Sequence, residues 1–189
     1  MESGGFGTWS TVTIEGDAKL GVAWPDAITG TCAGRFQITS TATSRANLTR
    51  ALPAGTTDVW ADGWFRVDDE GQSNSNVGFF RYFDGSSRIA DIYRQNVSSG
   101  IWIRTTDSRG SNVYTPLGID IPLGRWTHVR FHVRAAGSAS TIEAWIDGTK
   151  RYGATVWLPT SRLTNVLLGS EHQSQKMDLR FDDIVLEAG

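Results

Sequence analysis

The sequence predicts an all-β protein made of two packed antiparallel sheets. Three observations carry that prediction. No segment of helix length shows an apolar period near 3.6 residues, whereas short runs of period two recur along the whole chain. The connectors "DDEGQSNSN", "DGSS", "NVSSG", "DSRGSN", "AAGSAS" and "DG" are turn chemistry. Finally, 189 residues with 39% apolar and 20% charged content suit one domain, 1–189, because sandwiches of this length often do not divide.

The expected strands follow in order, each a short alternating run bounded by turn residues. The N-terminal set is "STVTI" 10–14, "KLGVAW" 19–24, "GRFQITS" 34–40 and "ANLTRAL" 46–52. The central set is "VWADGWFRV" 59–67, "VGFFRYF" 77–83, "RIADIYRQ" 88–95 and "GIWIRT" 100–105. The last set is "RWTHVRFHV" 125–133, "STIEAWI" 140–146, "KRYGA" 150–154, "TNVLLG" 164–169 and "MDLRFDDIVLEA" 177–188.

Composition excludes several partners. A formal net charge of −2 leaves no basic footprint for nucleic acid. No apolar run approaches the roughly 18 residues that insertion into a bilayer needs. Cys32 is the single cysteine, so an intrachain disulfide and a four-cysteine zinc site are both excluded, and a small buried residue is the plainer reading. Eight tryptophans fit core packing and sugar stacking alike. The opening Met-Glu-Ser-Gly-Gly lacks a secretory signal and reads as a domain cut from a longer protein.

Two motifs carry a family resemblance. In "PLGRWTHVRFHVRAAGSASTIEAWIDGTKRY" a Gly-x-Trp strand, a small loop and an apolar strand ending in Asp-Gly follow one another. The closing "LLGSEHQSQKMDLRFDDIVLEAG" has "FDDI" at its centre. Together they resemble the concanavalin A-like, laminin-G-like jelly rolls of bacterial type. The resemblance implies a jelly-roll β-sandwich over the whole chain. It also implies a functional range of lectins, carbohydrate-binding modules, glycan hydrolases, glycan lyases and adhesion modules.

Two sheet faces are candidates for ligand. Hairpins closed by "DGSS" and "NVSSG" would gather Phe79, Arg81, Phe83, Arg88, Arg94, Trp102 and Arg104 on one face. The opposite face would collect Phe80, Tyr82, Ile89, Tyr93, Ile101 and Ile103, with Asp91 its one charge, and form the core. Guanidinium groups pair bidentately with carboxylate or sulfate, and aromatic faces stack on pyranose rings. Phe79, Arg81, Phe83, Arg94, Trp102 and Arg104 are therefore the first binding set. The competing reading is that local acids such as Asp84 and Asp91 neutralise these arginines.

The second face comes from Asp147-Gly148, a type I′ hairpin signal. That turn would place Trp145 opposite Lys150 and Glu143 opposite Tyr152, and the looser "AAGSAS" connection would place Glu143 opposite His132 and Trp145 opposite Arg130, making Arg130, His132, Glu143 and Trp145 a reserve set. Cross-strand charge pairs and cation–aromatic contacts on a solvated sheet explain the same pattern.

Catalytic signals are weak. The hydrolase strand Glu-x-Asp-x-x-Glu is missing, as are a Gly-x-Ser-x-Gly elbow and a phosphate loop. Tyr82, Tyr93, His128 or His132 beside an arginine could serve a lyase as its base. The one metal expected is a structural Ca²⁺, because related jelly rolls hold calcium where the first and last strands meet; Glu2 and Asp183 would be its ligands, with Asp182 nearby. The leading expectation is a non-catalytic carbohydrate-binding module for oligo- or polysaccharide, with a tilt toward acidic glycans, linked covalently to further domains of an extracellular protein. The alternatives are a glycan lyase or glycoside hydrolase domain, and a structural or adhesion module.

Overall fold

The structure, a computed structural model, describes residues 6–72 and 75–189. Its first strands are β1 (Thr11–Glu15), β2 (Lys19–Ala23), β3 (Ala33–Ile38), β4 (Arg45–Ala51) and β5 (Asp58–Asp69). Then come β6 (Val77–Asp84), β7 (Ser87–Arg94), β8 (Gly100–Thr106), β9 (Asn112–Asp120) and β10 (Trp126–Arg134). The last are β11 (Ser140–Ile146), β12 (Thr149–Val156), β13 (Asn165–Gly169) and β14 (Met177–Ala188).

Two seven-stranded antiparallel sheets pack face to face. The first runs β1-β4-β13-β6-β7-β8-β9 and the second β12-β11-β10-β5-β14-β3-β2. Strand β9 corrects the sequence reading, which placed no strand between 105 and 125. Pro116 and Gly118 hide its period, and both are tolerated because β9 is an edge strand. No helix among the described residues is long and apolar enough to cross a membrane.

Aromatic rings fill the space between the sheets. Phe36 stacks on Phe181 with centroids 4.8 Å apart, and Phe65 contacts Phe79 at 4.8 Å and Phe80 at 5.1 Å. Tyr82 of the first sheet lies edge-on to Phe131 of the second and donates its hydroxyl to the Phe131 carbonyl at 2.9 Å. Satisfying that hydroxyl is what allows so deep a burial, and burial pushes its pKa well above the ordinary value.

Two β-bulges decide which side chains face outward on β6 and β7. Register shifts occur between Gly78 and Phe80 and between Tyr82 and Phe83. The first admits Phe79 as an extra residue, so Phe79 and Phe80 both enter the core, fully buried. In the second, Phe83 pairs with Arg88 and Tyr82 with Ala90, leaving Ile89 as the extra residue, also in the core. Beyond Ile89 the alternation of β7 is inverted: Asp91 faces Arg81, and Tyr93 faces Gly78 and Trp102.

Candidate functional site

The inverted alternation corrects the expected faces residue by residue. Phe79 packs on Phe65 between the sheets rather than beside the arginines. Arg94 pairs with Val77 and Ile101, both core residues, so it points inward at the end of the sheet. There it donates to the Ile121 carbonyl at 2.7 Å and to Ser99 Oγ at 2.8 Å, and it pairs with Glu70. Asp91 and Tyr93, expected in the core, stand instead on the outer face with Arg81, Phe83, Arg88, Trp102 and Arg104.

One cross-strand row forms the centre of this face. Leu167, Arg81, Asp91, Arg104 and Tyr114 follow one another across β13, β6, β7, β8 and β9. Asp91 reaches all three nearby arginines: Arg88 Nη1 at 3.2 Å, Arg104 Nε at 3.4 Å and Arg81 Nε at 3.7 Å. Glu171, from the loop after β13, adds a second carboxylate 2.6 Å from Arg88 Nη1 and 3.7 Å from Arg81 Nε. Three guanidinium groups thus share two carboxylates.

These charges are deeply placed. Arg81 is 1% exposed, Asp91 3% and Arg104 6%. Burial pushes the Asp91 carboxyl above its ordinary pKa, against the pull of Arg88, Arg81 and Arg104. Burial likewise lowers Arg81 and Arg104 despite the neighbouring acids. Desolvation therefore outweighs mutual attraction on Asp91, Arg81 and Arg104, which is a poor way to gain stability and a common way to build a site. Arg81 Nε, Arg88 Nε, Arg104 Nε and Asp91 Oδ1 are buried without a hydrogen-bond partner.

A cavity of about 160 Å³ opens over the row. Arg81, Arg88, Asp91 and Arg104 line it with Tyr93 and Tyr114, and Asn76, His172 and Gln175 join them from the flanking loops. Burial holds the Tyr93 phenol up at about 12. Gln175 fixes its loop by accepting from the Glu171 amide at 3.1 Å and donating to the Asn76 carbonyl at 3.0 Å. Trp102 and Phe83 share the outer face without lining the cavity; Trp102 is partly exposed beside Tyr93 and Pro116.

The reserve face has the pairings read from the "AAGSAS" connection, Glu143 with His132 and Trp145 with Arg130, and it ends at the Asp-Gly turn. Both turn residues take positive φ, 49° at Asp147 and 75° at Gly148. Every group there already has a partner. His132 stacks on Trp60 at 3.9 Å, and its two ring nitrogens lie 3.0 Å from Glu143 and 3.0 Å from Asp58. Arg130 covers Trp60 at 4.3 Å, Lys150 lies 5.2 Å from the Trp145 ring, and Lys150 pairs with Glu143. Its aromatic faces are occupied by its own cations.

The expected calcium ligand Glu2 lies outside the described residues. Asp182 accepts backbone N–H groups on both oxygens, from Ile28 at 2.8 Å, Thr29 at 3.2 Å and Asp183 at 2.9 Å. Asp183 accepts the Thr29 hydroxyl at 2.6 Å. Among the described residues no three His, Cys, Asp or Glu side chains come together to hold a metal ion.

No family model matches the chain, and no curated protein matches its sequence. Solved structures do. An endo-β-1,4-glucuronan lyase from the fungus Trichoderma reesei superposes with a TM-score of 0.78 at 14% identity, covering 98% of this chain and 93% of its own. The cellulose-induced protein Cip1 gives 0.71 at 18% identity, with coverages of 96% and 91%. The alginate lyase Aly36B gives 0.55 at 14% identity, with 83% and 82%. The fold is accordingly the concanavalin A-like jelly roll, as the motifs in the second half of the chain implied. At these identities the likeness speaks to fold alone.

Proposed function

We propose that this domain binds acidic polysaccharide, seating a uronate carboxylate in the cavity over Arg81, Arg88, Asp91 and Arg104. The observation that carries the reading is the excess of one guanidinium over the carboxylates in a buried cluster whose Nε atoms have no hydrogen-bond partner. A carboxylate supplies both the missing charge and the missing acceptors. Two of the similar structures are lyases whose names give uronate polymers, glucuronan and alginate, which supports the same substrate class. The test is affinity electrophoresis in gels containing glucuronan, alginate or a neutral glucan. Retardation by the uronates alone, abolished in Arg104→Met, is the expected result; equal mobility in all gels would remove the reading.

A second reading, eliminative cleavage of the same polymer, is favoured by Tyr93, Tyr114 and His172 lining the same cavity. Arginines that neutralise the uronate carboxylate make the proton at C5 more acidic. A base can then take it while the C4–O bond breaks and the leaving oxygen is protonated. The product carries a C4=C5 double bond, so ultraviolet absorbance of glucuronan incubated with the protein separates binding from turnover. A structural module predicts neither retardation nor absorbance.

Calcium at Asp183 and Glu2 also stands as a proposal, of a purely structural kind. A lower Tm in EDTA, restored by added calcium, is its expected signature. An extracellular host protein remains part of the same proposal, since acidic polysaccharides of this class are met outside cells.

A further inference from the structure

We propose that Gly78 is a positioning residue of this anion site, which rests on the reading of Arg81 as a carboxylate-binding group. Gly78 lies on the outer face of the first sheet, paired with Tyr93 and separated from Arg81 by the Phe79 bulge. A side chain leaving Arg81 can stand off the sheet or fold back along its own strand. It folds back. A Cβ on Gly78 would overlap the Arg81 guanidinium, with Nη1 at 2.7 Å and both Cζ and Nη2 closer still. The guanidinium fills the volume that a side chain at residue 78 would take.

Glycine is needed here for that approach and not for its backbone. Gly78 sits in a strand without positive φ, a conformation open to any residue, and a glycine inside a strand weakens it. In return Arg81 is held at one end of its fork by a hydrogen bond and at the other by ion pairing. Nη1 donates to the Gly169 carbonyl, while Nε faces Asp91 and Glu171 at 3.7 Å each. A long side chain that would otherwise sample many rotamers becomes a fixed wall of the cavity, with little ordering left to do when ligand arrives.

The test is a double-mutant cycle of Gly78→Ala and Arg81→Met. Affinity for a β-1,4-glucuronan oligosaccharide is read by calorimetry and Tm by circular dichroism. Gly78→Ala should weaken binding roughly tenfold, the loss expected for one charge-assisted hydrogen bond. In the Arg81→Met background the same change should cost no further affinity and less Tm, because the side chain it displaces is gone. Wild-type affinity in Gly78→Ala, or equal losses in both backgrounds, would overturn the proposal. Should Gly78→Ala alone fail to fold, a folded double variant supports it and an unfolded one overturns it. Undiminished binding by Arg81→Met, or no binding by the wild type, counts instead against the anion-site reading, and the Tm arm then still decides whether Gly78 positions Arg81.

Discussion

Arg81 and Asp91 stand directly opposite each other across β6 and β7, yet their closest charged atoms are 3.7 Å apart. Asp91 sits nearer to Arg88 and to Arg104, its register partner on β8, than to Arg81, its register partner on β6. It is the common counterion of three guanidinium groups, and burial works against both members of the opposing pair.

The first prediction follows from that sharing. Asp91→Leu strips three arginines of one counterion at once and should destabilise the fold by about 3–5 kcal/mol, as removal of one buried partner does. Adding Arg81→Met and Arg104→Met to it should recover most of the loss, because an apolar cluster pays no desolvation penalty, while the loss of these two arginines abolishes uronate binding. Urea denaturation of the single and triple variants checks both. A triple variant no more stable than Asp91→Leu would mean that the cluster is held together for stability.

Glu171 sets the net charge of the cluster without lining the cavity. Glu171→Gln removes one of its two carboxylates and leaves the three guanidinium groups in excess by two. Its affinity for polyuronate should rise, and fall more steeply with salt than that of the wild type. Calorimetry at two ionic strengths reads both effects. Weaker binding by this variant, with Tm unchanged, would show that Glu171 touches the ligand directly.

Some of this was legible in the residues and some was hidden. The Asp147-Gly148 turn fixed the register of β11 and β12 at Trp145 and Lys150, because a two-residue turn leaves no freedom in the pairing. It did not reveal Arg151 as a bulged residue, beyond which Tyr152 pairs with Ala144 in place of Glu143. On β6 and β7 the bulged residues are Phe79 and Ile89, apolar side chains beside other apolar ones. Nothing in an alternation count marks them as extra. One inserted residue then exchanged Tyr93 for Arg94 on the outer face. Glu171, His172 and Gln175 arrive from a loop about eighty residues away in sequence, where local period carries no information. A lone aspartate in "RIADIYR" was the available hint, since a buried unpaired carboxylate is too costly to leave unexplained.

The two tryptophan-bearing faces should respond differently to truncation. Trp102 lies beside Tyr93 and Pro116 next to the cavity, whereas Trp145 is already covered by Lys150 and approached by Arg130 at 5.8 Å. Trp102→Ala should weaken polyuronate binding by about 1–2 kcal/mol with the domain still folded. Trp145→Ala should leave affinity unchanged. A loss confined to Trp145→Ala would move the ligand to the second sheet.

The last prediction concerns acid. The Lys150 ammonium bonded to Glu143, and next the His132 ring, hold the Glu143 carboxyl below its ordinary value of 4.5. A carboxylate with a depressed folded-state pKa binds fewer protons in the native than in the unfolded chain. Its stabilisation is therefore present above 4.5 and drains away as pH falls through the depressed value. Glu143→Gln lacks that contribution at every pH. Tm measured from neutral to acid pH should show the wild type ahead at neutrality and the two curves converging below 4.5. Curves that run parallel through the acid range would mean that Glu143 is held no more tightly in the folded chain than in water. The ion pairs of the reserve face would then be ordinary solvated contacts with no influence on its acid stability.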